Sequence, residues 1–264
     1  MGAFDRWKMW DGVLRREVKE FHRISLCTTC MDRLETLRRC LTQNVADNAD
    51  YPNLEFVVLD YNSRRDDVWG WLSKTFPNEL ESGRVVYYRT DEPKFYSMTH
   101  SRNLAFRLAS GTVVNNLDAD NFTGKAFATF INFLANECPD KAVFSKGKRL
   151  LRGRLGFFKQ EFVEQLGGYD EDLQGYGHDD KDLLERAMAM GFTLMWFGGR
   201  FVRRIATPNS EKGRNMCNQR IRETEAANRA ISEANLSAGK LRANANRAWG
   251  TATVRKNAQV QFTL

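Results

Sequence analysis

The feature that most constrains this chain is an alternation running from residue 24 to residue 134. Short apolar, β-branched runs at residues 24–27, 54–59, 84–89 and 112–117 are separated by stretches with apolar side chains at helical spacing. Leu34, Leu37, Leu41 and Val45 form one such stripe, and Val68, Trp71, Leu72 and Phe76 a second; residues 99–109 and 123–134 supply two more. Strands apolar on both faces, each followed by a helix, predict a mostly parallel sheet with helices on both sides. At 264 residues and 42% hydrophobic, the chain suffices for one large α/β domain, or one domain and a tail.

Ligands of such sheets bind beyond the carboxyl ends of the strands. Asp60, Asp118, Asp120 and the loop after Cys27 all fall there. The run Thr-Val-Val-Asn-Asn-Leu-Asp-Ala-Asp (residues 112–120) ends on two carboxylates at i and i+2, which period two would set on one side of the chain. With no His or Cys beside them, these hard oxygen donors suit a divalent cation that keeps open positions for phosphate oxygens. A solvated turn is the plain alternative for an isolated Asp-x-Asp.

Past residue 140 the pattern changes. Strands are expected at 142–145 and 155–158, a tight turn at Gly167-Gly168-Tyr169, and a helix over 179–190 with Leu183, Leu184, Ala187 and Met190 at core spacing. The run Gly-Tyr-Gly-His-Asp-Asp-Lys-Asp-Leu (residues 175–183) sets three carboxylates on the first turn of that helix, where its dipole favours the charged form. Capping accounts for one or two of them. Three within four positions exceed that need, and a carboxylate at a cleft edge can act as general base toward a hydroxyl nucleophile.

Five cysteines, at 27, 30, 40, 138 and 217, do not form a disulfide framework, and Cys27-Thr-Thr-Cys30 has no second pair to complete a zinc site. No run of 18 apolar residues and no signal-peptide core is present, so a soluble, cytoplasmic protein is expected. Trp7, Trp10, Leu14, Val18 and Phe21 predict an amphipathic N-terminal helix within residues 1–22. The net charge of +7 is uneven: residues 211–264 carry ten Lys/Arg against four Asp/Glu, and residues 141–159 carry seven basic side chains and no acid. Such blocks point to a polyanionic partner, with a solvated rim as the alternative.

Taken in order, several segments resemble the GT-A fold, family 2 type nucleotide-sugar glycosyltransferases: Cys-Thr-Thr-Cys-Met-Asp-Arg after the first strand, Val-Val-Leu-Asp60, Ser-Arg-Asn-Leu-Ala105 and Leu-Asp-Ala-Asp120. Gly-Gly-Tyr-Asp-Glu followed by Gly-His-Asp-Asp-Lys-Asp-Leu is similar to the acceptor and base region of the galactosyltransferases. The resemblance runs from about residue 23 to residue 214. It implies a Rossmann-like domain over 1–214, with a nucleotide-sugar half (23–140) and an acceptor half (141–214); beyond the resemblance, a polar helix expected from Cys217 to about Leu236 and a basic tail make residues 215–264 a helical, basic extension. It further implies that Thr28 and Arg33 flank the nucleotide, that Asp60 reads uracil or ribose and that Arg102 lies near the diphosphate. Asp118 and Asp120 would form the motif for Mn2+ or Mg2+, and Asp180 would be the base, with Asp179 where relatives usually carry Glu. Relatives often add a His ligand after the last strand; here that stretch reads Ala-Thr-Pro-Asn-Ser (residues 206–210), leaving Asn209 or water to fill the position.

These readings together predict inverting, metal-dependent transfer of a sugar from a nucleoside diphosphate sugar, most simply a UDP-sugar, to an acceptor hydroxyl. The basic residues Lys146, Lys148, Arg149, Arg152 and Arg154 between the metal motif and the acceptor loop, with the basic tail, suggest a hydroxymethylated base in phage-like DNA as acceptor, flipped from the stack. Polysaccharide or glycoconjugate synthesis is the alternative, and a nucleotidyltransferase or a non-catalytic nucleic-acid-binding protein would share some of the same features.

Overall fold

The computed structural model describes residues 20–146, 153–208, 211 and 213–264, so the expected N-terminal helix lies almost wholly outside the described residues. The first half follows the predicted alternation: β1 (Ile24–Cys30), α1 (Leu34–Asp47), β2 (Leu54–Tyr61), α2 (Val68–Thr75), α3 (Pro77–Glu81), β3 (Val85–Thr90), α4 (Met98–Leu108), β4 (Val113–Asn116) and α5 (Phe127–Glu137). There follow β5 (Ala142–Ser145), β6 (Gly156–Phe158), α6 (Lys159–Glu161) leading into a π-turn, α7 (Asp179–Ala189), β7 (Thr193–Trp196), α8 (Ile221–Ser237), β8 (Thr253–Lys256) and β9 (Val260–Thr263).

All the strands join one nine-stranded sheet in the order β7-β5-β6-β4-β1-β2-β3-β8-β9. Its centre, β4-β1-β2-β3, is parallel. The flanks are less regular than the expected mostly parallel sheet: β6 runs antiparallel to both β4 and β5, while β7 pairs parallel to β5. Parallel central strands must be buried on both faces, and period two divides their side chains accordingly. Ile24, Leu26, Phe56, Val58, Val85 and Tyr87 face a core made with α1, α2 and α5. Cys27, Val57, Leu59, Val86 and Tyr88 face a second core made with α4 and α7. Burial of a large apolar side chain contributes roughly 1.5–3 kcal/mol, so two such layers hold the strand ends rigidly.

The C-terminal region corrects the expectation of a helical tail. Ile221–Ser237 is helical, but β8 and β9 form a hairpin whose first strand pairs antiparallel with β3, Tyr88 opposite Lys256 and Arg89 opposite Arg255. Ala252 and Val254 are buried in the second core, which explains the pairing: an edge strand gains both a hydrogen-bonding partner and a cover for its apolar side. Among the described residues, no helix is long and apolar enough to cross a membrane.

Candidate active site

β4 stops at Asn116, two residues short of the first carboxylate, so Asp118 and Asp120 sit in a turn beyond the strand, where period two no longer applies. The turn is fixed by its backbone: the N–H of Asn121 donates to the Asp118 carbonyl at 2.9 Å, that of Ile205 to the Asp120 carbonyl at 2.8 Å, and Asn121 bridges Arg204. This turn forms one side of a cavity of about 480 Å³ lined also by Thr29, Arg33, Tyr96, Arg102, Gly153, residues 176–181, Arg204, Thr207 and Glu225.

Three consecutive polar residues of α4 organise the cleft. Ser101, Arg102 and Asn103 are all buried, an arrangement a solvated helix face does not produce. Ser101 Oγ donates to Thr29 Oγ1 at 3.3 Å, and Asn103 holds the backbone of Tyr169 from both sides, accepting from its N–H at 2.8 Å and donating to its carbonyl at 2.9 Å. Arg102 lies between them, 2% exposed, with Nη2 2.9 Å from Asp118 Oδ1, Nη1 3.1 Å from Asp180 Oδ1, and a further Nη1 ion pair to Asp179. Its guanidinium lies 5.5 Å from the Tyr169 ring centroid. Burial opposes its charge, but Asp180, Asp118 and Asp179 outweigh that and hold its pKa well above the ordinary value.

On the Asp-x-Asp side, Asn116 Nδ2 donates to Asp118 Oδ1 at 2.9 Å, and Thr207 Oγ1 donates to Asp120 Oδ2 at 2.9 Å while accepting from Arg33 at 3.0 Å. Burial, and then the neighbouring Asp118, push the Asp120 carboxyl above its usual range. Among the described residues no group of three or more His, Cys, Asp or Glu is arranged to hold a metal ion. A cation here would take its protein oxygens from this pair and leave the remaining positions to a ligand. The repulsion from Asp118, which adds to burial in raising Asp120, is what a divalent charge relieves.

On the other side, α7 starts abruptly after His178, whose φ of 69° breaks the chain direction before Asp179, Asp180 and Asp182 enter the first turn. Asp180 accepts from Arg102, from the Tyr169 hydroxyl at 3.2 Å and, through Oδ2, from the N–H of Gly153 at 3.2 Å. Burial is the main cause that pushes its carboxyl up to about 7, with Asp179 and Asp118 adding to it and Arg102 and Tyr169 opposing. Asp179 is raised by burial as well. Asp182 faces away from the cleft: it pairs with buried Arg186 at 2.8 Å and accepts from Ser232 at 2.8 Å. His178, lowered by burial and by Lys181, lines the cavity.

Of the expected site residues, the structure brings Arg33, Arg102, Asp118, Asp120, Asp179 and Asp180 to one cleft. Thr28 is not among them; its side chain is buried and donates to the Leu117 carbonyl at 2.7 Å, because alternation along β1 turns it into the sheet and presents Thr29 instead. Asp60 is also elsewhere. It is fully buried, accepts from the Ser63 N–H at 2.9 Å, the Tyr87 hydroxyl at 3.0 Å and Arg89 at 2.5 Å, and lines a separate cavity with Trp69 and Arg255. Those three donors satisfy the carboxylate within the protein. Arg154 likewise is no surface cation: it is 0% exposed and donates to the carbonyls of Phe122 and Arg203 at 3.2 and 2.7 Å. Lys146 is half-buried and outside the cleft lining, and Lys148, Arg149, Arg152 and Asn209 lie outside the described residues.

Gly153, Tyr169, Thr207 and Glu225 are not among the expected site residues: the first three lie in loops, where no periodicity marks them, and Glu225 lies on a helix whose spacing does not distinguish it. Gly153 has a φ of 62°, and a Cβ there would fall 1.8 Å from Asp118 Oδ2.

Among solved structures, the chain is similar to a mannosyltransferase, PcManGT from Pyrobaculum calidifontis, in complex with GDP-Man and Mn2+ (TM-score 0.58, 21% identity, covering 79% of this chain and 66% of that one). It is also similar to GalNAc-T7 with UDP, GalNAc and Mn2+ (TM-score 0.55, 15% identity, 72% and 46%), and to S. aureus TarS 1-349 in complex with UDP-GlcNAc (TM-score 0.59, 13% identity, 74% and 62%). The chain thus spans less than two thirds of the length of these proteins. No curated protein matches it. At these identities the similarity speaks for the fold, which is GT-A. Residues 25–179, more than half of the sequence and the part that builds the central strands β1 to β4, Arg102, Asp118, Asp120 and Asp179, match Glycosyl transferase family 2, and the chain belongs to that family.

Proposed function

We propose that this chain is an inverting glycosyltransferase that moves a sugar from a nucleoside diphosphate sugar to an acceptor hydroxyl. The observation that carries the reading is the meeting of Asp118 and Asp120 with Asp179 and Asp180 in one cleft, joined by the Arg102 guanidinium. Asp118 and Asp120 would hold a divalent cation, Mn2+ or Mg2+, which when bound supplies neutralising charge to the diphosphate leaving group. Mn2+ accompanies the nucleotide sugar or nucleotide in PcManGT and GalNAc-T7, which supports that assignment. Arg33 and Arg204, both lining the cleft, add positive charge on the same side. Asp180 accepts the proton of the attacking hydroxyl. Tyr169 and the Gly153 N–H fix its two oxygens, and a carboxyl titrating near neutrality is well matched to that transfer. The base and the leaving group are handled by different aspartates, as attack from the face opposite the departing diphosphate requires.

For the acceptor, the reading we favour is a hydroxyl on a carbohydrate or glycoconjugate. The basic track that motivated a DNA acceptor loses Arg154 to the interior, and Glu211 and Glu225 join four aspartates in lining the cleft. UDP-sugars are the first donors to examine, since UDP or UDP-GlcNAc accompanies two of the similar structures.

The test is to incubate the protein with Mn2+ and a panel of UDP- and GDP-sugars, using glycosides and hydroxymethylated duplex DNA as acceptors. Released nucleoside diphosphate and an inverted anomeric centre in the product are expected. Pyrophosphate release would replace this reading with nucleotidyl transfer, and retained configuration would overturn the single-displacement step.

A further inference from the structure

Helix α8 lies against the cleft through polar side chains. Thr224, Asn228 and Ser232, at i, i+4 and i+8, are its buried residues, so one face is enclosed without being apolar. Each bonds to the segment carrying the two carboxylates. Thr224 Oγ1 accepts from the Tyr176 N–H at 3.2 Å and lies 3.1 Å from its carbonyl; Asn228 bonds the Gln174 N–H at 3.1 Å and the Gln174 and Gly177 carbonyls at 3.0 and 2.8 Å; Ser232 donates to Asp182. These anchors fix the loop at residues 174–178 to the helix on both sides of one more residue, Glu225.

Glu225 lines the cleft with Asp179 and Asp180. Its stem packs over Gly177, which has a φ of 94°; a Cβ on that glycine would lie 3.1 Å from Glu225 Cγ and 3.2 Å from its Cβ. Only a residue without a side chain leaves that room and tolerates that backbone. Among the described residues the Glu225 carboxylate has no hydrogen-bond or ion-pair partner. The cleft therefore holds a half-buried carboxylate whose backbone is anchored one residue before it and three after, in the same cavity as the proposed base and with its acceptor capacity unused.

The geometry points to Glu225 as the residue that selects the acceptor: it accepts hydrogen bonds from the hydroxyls of a neutral, polyhydroxylated acceptor and repels one that carries phosphate. This rests on the transferase reading above and narrows it to a substrate class. A carboxylate presents two oxygens to neighbouring hydroxyls of one sugar ring, and hydrogen bonds to a charged group are the stronger ones. Its charge also disfavours an anionic backbone at the same distance. Glu225 lies on a helix beyond the family-matched residues 25–179.

The test uses the full chain and reads binding as well as turnover. Methyl hexosides and a hydroxymethylcytosine-containing duplex are titrated calorimetrically, without donor, into the wild type, Glu225→Gln and Glu225→Ala, with the exposed Glu233→Gln on the same helix as control. Wild type and Glu233→Gln are expected to bind at least one hexoside equally and the duplex weakly. Both Glu225 variants should bind that hexoside roughly 10- to 100-fold more weakly, the loss expected for a hydrogen bond to a charged group. In turnover, the acceptor KM should rise by a similar factor while the donor KM moves less than about twofold. Hexoside affinity unchanged in both Glu225 variants, no hexoside bound by the wild type, or a duplex bound more tightly than any hexoside would each overturn the proposal. Failure of the transferase reading is distinct: no nucleotide sugar is turned over, whether or not hexoside binding depends on Glu225.

Discussion

Arg102 Nη1 stands 3.1 Å from Asp180 Oδ1, which links helix α4 to the carboxylate proposed as base. The same guanidinium reaches Asp118 through its other nitrogen, so one buried charge sets the distance between the proposed cation site and the proposed base.

Arg102→Met leaves Asp118, Asp179 and Asp180 without their shared counter-charge. Breaking a buried ion pair by removing one partner costs about 3–5 kcal/mol, so the melting temperature should fall and turnover should be lost. Arg102→Lys keeps the charge without the planar fork and should recover more stability than activity. Thermal unfolding and donor turnover measured on both variants check this; equal recovery of the two quantities in the lysine variant would contradict a geometric role.

Asp180→Asn preserves shape but accepts no proton. The expected fall in kcat is ~10²–10⁴-fold with donor KM nearly unchanged. If Asp179→Asn is the crippling change and Asp180→Asn the mild one, the base has been assigned to the wrong neighbour.

The pH dependence has a definite sign. Asp180 must be ionised to act as base, and burial pushes its carboxyl up to about 7, so kcat should rise with pH through that value and level off above it. Stability responds in the opposite direction. A carboxyl raised in the folded state stabilises the fold fully below its unfolded value of about 3.9, and that contribution is lost as pH rises through about 7. A pH–rate profile beside urea unfolding at pH 5 and 8 tests both signs.

Asp120→Ala removes one carboxylate of the proposed cation pair and should abolish transfer, and excess chelator should reproduce that loss in the wild type. Restored turnover on adding Mn2+ or Mg2+ would complete the correspondence. Full activity in chelator would remove the cation from the mechanism.

Gly153→Ala places a methyl group 1.8 Å from Asp118 Oδ2 at a backbone φ of 62°. Asp118 must move, and with it the bonds from Arg102 and Asn116. Activity should fall by more than tenfold on order-of-magnitude grounds, since small misplacements of positioning groups are costly. Wild-type activity in this variant would mean that Asp118 has freedom the surrounding hydrogen bonds do not suggest.

Much of this arrangement was legible in the sequence because regular elements announce themselves by period. The central strands, the helices covering them and the order of the aspartates follow from apolar spacing and from where each strand runs out. What period cannot reveal is which way a residue turns once the chain leaves the regular element. Thr28 and Thr29 are chemically identical and differ by one step of a strand, so the choice between them depends on register. Helical spacing alone does not mark Arg102 as buried, because its partners lie 16, 77 and 78 positions away. Arg154 reads as part of a basic patch because composition does not report that carbonyls of residues 122 and 203 enclose it. The terminal hairpin carries no legible period for a related reason: β8 and β9 are four residues each, largely exposed, and owe their conformation to an existing sheet edge.

That hairpin also orders events in time. Tyr88 pairs with Lys256, joining positions separated by most of the chain, and Ala252 and Val254 are buried in a core whose other buried members, up to Phe192, are made earlier. Closing so long a loop is entropically slow. A ribosome at ~5–20 residues per second therefore presents the α/β half with an uncapped β3 edge for several seconds before its partner strand emerges. During that interval the edge is open to pairing with another molecule, and the yield of active protein should depend on how quickly residues 253–263 follow.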